Sequence, residues 1–188
     1  MQFGSGGVCI GPTPWEGSNA YLHEVYEPLT LAEVRGLEVH YRTTLSDGMR
    51  GFFLNANGAS LFGSILSISG VVGLIDRKVT GGIRQPISLD YGNVVERPRG
   101  LERSDFVFGG IIGDSVVGQL VVATNGGVRL VHPTNGKDVG DGWDTFESFI
   151  FGEIDRLSAL HSTSGQFLGS PSDRLPPKAR RWEQPARR

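Results

Sequence analysis

A single cysteine, Cys9, is all that the 188 residues hold for thiol chemistry. One thiol closes no internal disulfide and builds no cysteine-rich zinc site, so a reducing compartment fits the chain best. Long apolar runs are missing as well. A secretory leader needs a basic start and a continuous apolar stretch, whereas Met1 to Ser18 has no Lys or Arg and its longest apolar run is Val8-Cys9-Ile10. A cytoplasmic location is expected. The nearest approach to a membrane span, Phe106 to Thr124, is interrupted by Asp114 and Gln119 and divided by glycines, and an Asp at a bilayer centre costs about 2.5–3.5 kcal/mol. That stretch reads as two buried strands, and no membrane contact is expected.

A basic excess is absent too, which argues against nucleic acid as a partner. The formal net charge is −2, and six basic side chains (Arg174, Lys178, Arg180, Arg181, Arg187 and Arg188) stand in the last eighteen residues against Asp173 and Glu183. Without them the body keeps twelve basic and eighteen acidic groups, a net of −6. Such a surface keeps a domain in solution and favours cationic protein partners.

What is present is glycine, 28 residues of it, set between short runs of Val, Ile and Phe in a chain that is 38% hydrophobic. This pattern suits one core built on strands and turns. Residues 1–18 read as a Gly-rich, irregular lead-in, residues 19–165 as the folded domain, and residues 166–188 as a basic, proline-rich tail. Thr30 and Glu33 have the spacing of a capping box for a helix from Leu31 to Tyr41, with Leu31, Val34, Glu38 and Tyr41 along one side. A second helix opens at Ser46 or Asp47, carries Met49, Phe52 and Phe53, and is expected to stop at Asn57-Gly58.

The period then changes to two. A strand or bent pair of strands is expected from Ala59 to Val72, a weaker strand at Pro86 to Leu89, and stronger ones at Phe106 to Ile112, Gly118 to Thr124 and Gly127 to His132. Asn125-Gly126 is the clearest hairpin signal. Asp144 and Glu147 have capping-box spacing for a last helix, in which Phe146, Phe149, Ile150, Ile154, Leu157 and Leu160 recur at intervals of three and four. The expected class is α+β, a mostly antiparallel sheet flanked by two N-terminal helices and one C-terminal amphipathic helix.

That order, with Pro28-Leu29-Thr30, Leu45-Ser46-Asp47, Phe52-Phe53-Leu54, Asn57-Gly58, Phe106-Val107-Phe108-Gly109 and Trp143-Asp144-Thr145-Phe146, resembles the SUKH superfamily of SMI/KNR type. The resemblance covers roughly Pro28 to Leu160, with Ser46 where the family usually has proline and a poorly matched middle from Asp76 to Asp105. It implies an immunity-type role, in which the domain binds a cognate toxin, often a nuclease or deaminase, and neutralises it. Other members of the superfamily act as signalling or scaffolding partners, and fold alone does not choose between them.

Residues that could carry chemistry are scattered. His23, His40, His132 and His161 show no metal-ligand spacing, and surface or packing roles are expected for them. There is no Gly-x-Ser-x-Gly, Cys9 has no nearby histidine, and Gly4-Ser5-Gly6-Gly7 lacks the Lys-Ser/Thr of a phosphate loop. A small hydrolase using the scattered His and Asp residues would need at least two of them to converge in a deep pocket. No catalytic residue, metal or cofactor is expected. Asp138, Asp141 and Asp144 recur beside Gly136, Gly140 and Gly142, without the spacing of a calcium loop, and read as an acidic turn before a helix N-terminus. Trp143 either packs beneath the last helix or stands out as an interface anchor. Asp138, Asp141 and Trp143 together form the expected partner contact. The basic C-terminal arm is a solvated tail, a weak nucleic-acid contact or a segment that folds onto a partner, with Trp182 favouring the last.

Overall fold

A computed structural model describes residues 7–17, 20–73, 85–114, 117–140 and 142–179. Seven strands form one sheet in which spatial order equals chain order: β1 (Val8–Pro12), β2 (Tyr21–Val25), β3 (Ala59–Leu61), β4 (Leu66–Ile68), β5 (Phe106–Ile112), β6 (Val117–Val122) and β7 (Val128–Val131). Every neighbouring pair is antiparallel. Helices α1 (Leu31–Tyr41) and α2 (Asp47–Phe53) lie between β2 and β3, and α3 (Phe146–Ser158) follows β7. This is the α+β arrangement expected. No helix among the described residues is long and apolar enough to cross a membrane.

Alternation divides the sheet into two faces. Leu66, Ile68, Phe106, Phe108, Ile111, Leu120, Val122, Val128 and Leu130 turn toward the helices, where Val34, Leu37, Met49, Phe53, Phe146, Phe149 and Leu157 complete the main core. Phe108 meets Phe146 and Phe149 edge to face, with ring centroids 5.5 and 5.6 Å away. Burial of each such side chain contributes about 1.5–3 kcal/mol. On the outer face Val107, Val121 and Val131 form a smaller cluster against Leu101.

Thr30 and Glu33 close the capping box of α1, the Glu33 N–H donating to Thr30 Oγ1 at 3.2 Å and the Thr30 N–H to Glu33 Oε2 at 2.7 Å. The helix buries Val34 and Leu37, whereas Leu31 is exposed and Glu38 accepts from the Leu45 N–H and from Arg50 Nη2 at 2.9 and 2.8 Å. Ser46 caps α2, which ends at Phe53, short of Asn57-Gly58. That pair is therefore not a helix stop. Asn57 is buried and clamps one residue of the chain leaving β4, accepting from the Val71 N–H at 2.6 Å and donating to the Val71 carbonyl at 2.9 Å. Gly58 has φ +85°, and a Cβ there would sit 2.6 Å from the Ile68 carbonyl oxygen, so glycine is needed on both counts.

Four further expectations are corrected. The lead-in is not irregular throughout, because Val8–Pro12 pairs with β2 and buries Cys9 opposite Glu24. Pro86 to Leu89 makes no strand, only a parallel bridge from Ser88 to Gly70. After it a short helical turn, Tyr91–Val95, lies on β5, where Asn93 accepts from the Val107 N–H and donates to the Val107 carbonyl, at 2.9 and 2.6 Å. The cap of α3 is Thr145 with Ser148, one residue beyond the Asp144 and Glu147 pair. Last, residues 166–179 are no tail. Arg156 on α3, paired with buried Glu153 at 2.7 Å, donates to the carbonyls of Asp173 and Arg174 at 2.7 and 2.8 Å, and Leu175 and Ala179 are fully buried.

Candidate functional site

The chain leaving β7 doubles back along it. Val128 bridges Trp143 and Val131 bridges Asp138, with Val128 and Trp143 exchanging two hydrogen bonds of 2.8 Å. The return covers the edge of β7, which would otherwise offer unpaired backbone groups. It places Asp138 and Trp143 on one segment but turns them to different sides. Asp138 accepts from Arg129 on the outer face at 2.9 Å, and Arg129 also holds buried Asp105 at 2.8 Å. Burial alone would lower the Arg129 pKa, yet the two carboxylates more than offset it and hold the guanidinium above its usual value. Trp143 packs edge-on against Phe149 at 5.0 Å, beneath α3, and is half-buried. Asp141 and Trp182 lie outside the described residues.

The histidines do not remain scattered. His40 reaches Asp90 at 3.4 Å at the surface, next to Tyr41, whose hydroxyl donates to the same carboxylate at 3.0 Å; burial, then that bond and charge, raise the Tyr41 pKa. His132 accepts from the Thr134 N–H at 3.1 Å. His23 and His161 meet across Phe62, with centroids 4.7 and 5.0 Å from that ring. His23 Nδ1 accepts from the Phe62 N–H at 3.3 Å, and desolvation, followed by repulsion from His161, lowers the His23 pKa. His161 Nδ1 must donate at 2.7 Å to the Leu157 carbonyl, which can only accept, so its Nε2 is the ring nitrogen left for other work.

The stacking continues past His161 to Phe167 at 5.2 Å and on to Arg174, whose guanidinium lies 5.5 Å from the Phe167 ring centre. These groups border a cleft of about 90 Å³, completed by Glu16, Leu22, Ser64, Ile65 and Ile112. Its floor is the β3–β4 turn, where Phe62, Gly63 and Ser64 all take the left-handed conformation, with φ of 55, 62 and 70°. For Phe62 and Ser64 this costs roughly 1–2 kcal/mol each. The turn is held by bonds from the Gly63 N–H to the Leu22 carbonyl at 2.9 Å and between the hydroxyls of Ser60 and Ser64 at 2.8 Å. Arg174 makes no ion pair among the described residues, and its Nε is buried without an acceptor. Sequence reading missed this cleft because Arg174 and Phe167 sit in a stretch whose composition resembles a tail.

A second groove, about 100 Å³, opens on the outer face between the Tyr91–Val95 turn and the sheet. Ile87, Tyr91 and Val117 form its rim, each about half exposed, and Ser67, Ser69, Gly109, Gly110 and Gln119 line it. Val94 and Val95 extend the apolar surface along the same turn. Neither groove holds three His, Cys, Asp or Glu side chains placed for a metal ion, nor does any other set among the described residues. The sequence matches no protein-family model, and no curated protein and no solved structure is significantly similar to it.

Proposed function

We propose that this domain is a SUKH-type protein-binding module, acting in the cytoplasm as an immunity protein that neutralises a toxin of nuclease or deaminase type by direct contact. The observation that carries protein binding is the apolar rim of the outer groove. Ile87, Tyr91, Val94, Val95 and Val117 leave apolar surface in water on one face, which marks interaction sites more often than plain solvent-facing sheet. Support for the SUKH reading comes from two capped helices between β2 and β3, an antiparallel sheet and a C-terminal helix, together with the motifs that carry the resemblance. The acidic body suits a basic toxin surface and would speed encounter with it.

The mechanism is stoichiometric occlusion. An inhibitor that covers an active site or substrate groove needs a buried apolar centre and a polar rim. Tyr91, Ile87 and Val117 supply the first, and Asp138, exposed beside Arg129, is the candidate for the second. Trp143 serves this surface by fixing the return segment on α3.

The test is co-purification of tagged full-length chain with the product of any neighbouring reading frame, repeated at raised salt and with Tyr91→Ala and Asp138→Ala. Recovery of a polypeptide whose nuclease or deaminase activity is abolished at a one-to-one ratio, with Tyr91→Ala weakening the complex, supports immunity. Recovery of a regulator with no such activity sinks the toxin reading and leaves a scaffold role.

A further inference from the structure

We infer that the cleft beside Arg174 binds a small ligand carrying one carboxylate on an apolar body. This inference stands apart from the protein-binding reading, and the two grooves share only Ile112. It starts from an asymmetry among the arginines. Arg50, Arg129 and Arg156 each hold a carboxylate at 2.7–2.9 Å, whereas Arg174 has neither a carboxylate nor a carbonyl among the described residues. Its Nε–H is buried without an acceptor, and Arg174 lines the cleft, where an oxyanion would be its counter-ion.

Arg174 is also preorganised. Its own carbonyl is held by Arg156 at 2.8 Å, and its guanidinium plane is braced on Phe167, so little rotamer freedom is lost when it takes a ligand. The strained turn at Phe62 to Ser64 gives the cleft a rigid floor, the kind of setting in which backbone strain is retained.

The other lining groups narrow the chemistry. Leu22, Phe62, Ile65, Ile112 and Phe167 supply apolar lining beside polar Glu16, Ser64, His161 and Arg174, so the ligand has a polar end and an apolar end. Glu16, exposed at the rim, repels an anion as Arg174 attracts it, and both effects scale with the anion's charge, so the choice of a carboxylate over phosphate rests on the apolar lining. His161 donates from Nδ1 to the Leu157 carbonyl, which leaves its Nε2 for a ligand, and Arg174 is the permanent cation of the cleft.

The full chain is titrated with benzoate, with its neutral isostere benzamide, and with inorganic phosphate, followed by amide chemical shifts and calorimetry. Benzoate is expected to saturate with shifts confined to Phe62–Ile65, His161–Phe167 and Arg174, and to bind roughly tenfold or more tightly than benzamide or phosphate. Arg174→Gln should lose that preference, Arg174→Lys should keep part of it, and Glu16→Gln should tighten benzoate. Equal binding of benzamide, stronger binding of phosphate, or unchanged affinity in a folded Arg174→Gln or Arg174→Lys protein overturns the assignment. So does the absence of a saturable shift up to about 50 mM, where a ligand of this size at ordinary efficiency is mostly bound.

Discussion

The segment that enters α3 and the segment that leaves it differ in where their charges go. Entering, the segment meets β7 at Asp138 and Trp143, and Asp138 is tied to Arg129. Leaving, the carbonyls of Asp173, Arg174 and Leu175 accept from Arg156, itself paired with Glu153, while Arg174 is left without a counter-ion among the described residues. A charge that completes a network is structural. A charge that a network positions but does not neutralise is available for a ligand. The acidic segment attracts the eye by composition, and the basic one carries the unpaired group.

The largest way to break this contrast is at Arg156. Its removal leaves Glu153, whose side chain is 3% exposed, as a buried carboxylate without Arg156, and takes one donor away from each of three backbone carbonyls. Arg156→Ala is expected to lose about 3–5 kcal/mol of unfolding free energy in a denaturant titration. Amide exchange in residues 166–179 should accelerate as the segment detaches, and benzoate binding should vanish with it. A loss under about 1 kcal/mol, the scale of an exposed pair, would mean that the segment is held elsewhere.

A smaller effect tests the floor of the same cleft. His23 has a folded pKa below its ordinary value of 6.5, chiefly through desolvation and then through the neighbouring His161. Between the folded and unfolded values the unfolded chain binds more protons, so stability rises with pH there and falls as pH drops below about 6.5. Unfolding midpoints should therefore decrease from pH 7.5 to pH 5. His23→Gln should flatten the profile while the acidic side of the remaining molecule stays unchanged. An unaltered slope would show that His23 is not the group that titrates.

Much of the frame was legible because it rests on local chemistry. Thr30 with Glu33, Ser46, and the apolar spacing of Phe146 to Leu157 read correctly, since caps and amphipathic periods are written within a few residues. Three things were not local. Asn57-Gly58 carries the composition of a helix stop, yet the buried amide of Asn57 serves Val71, fourteen residues away. Val8–Pro12 is short and sits in a glycine-rich lead-in, so it does not announce a strand, and only β2 beside it makes one. The Ser, Gly and Pro content after His161 suggests a tail, and nothing in that stretch reveals that Arg156 on α3 grips its carbonyls. The cleft was hidden for the same reason: Glu16, Phe62, His161 and Arg174 come from four separate parts of the chain.

The smallest expected effect sharpens the comparison from the acidic side. Asp138 is about half exposed, and Arg129 keeps the more deeply buried Asp105 when Asp138 is neutralised. Asp138→Asn should cost only about 0.2–1 kcal/mol, less at high salt, because an exposed pair in water gains little beyond its side-chain entropy. The backbone pairing of the return segment, from Val139 to Leu130 and from Trp143 to Val128, does not involve that carboxylate. The variant should therefore leave the amide exchange of β7 unchanged, and any loss of affinity it shows for a protein partner can be read as a surface contact. Faster exchange in β7 would instead mean that the ion pair, and not the backbone ladder, keeps the sheet edge closed, and Asp138 would then be structural.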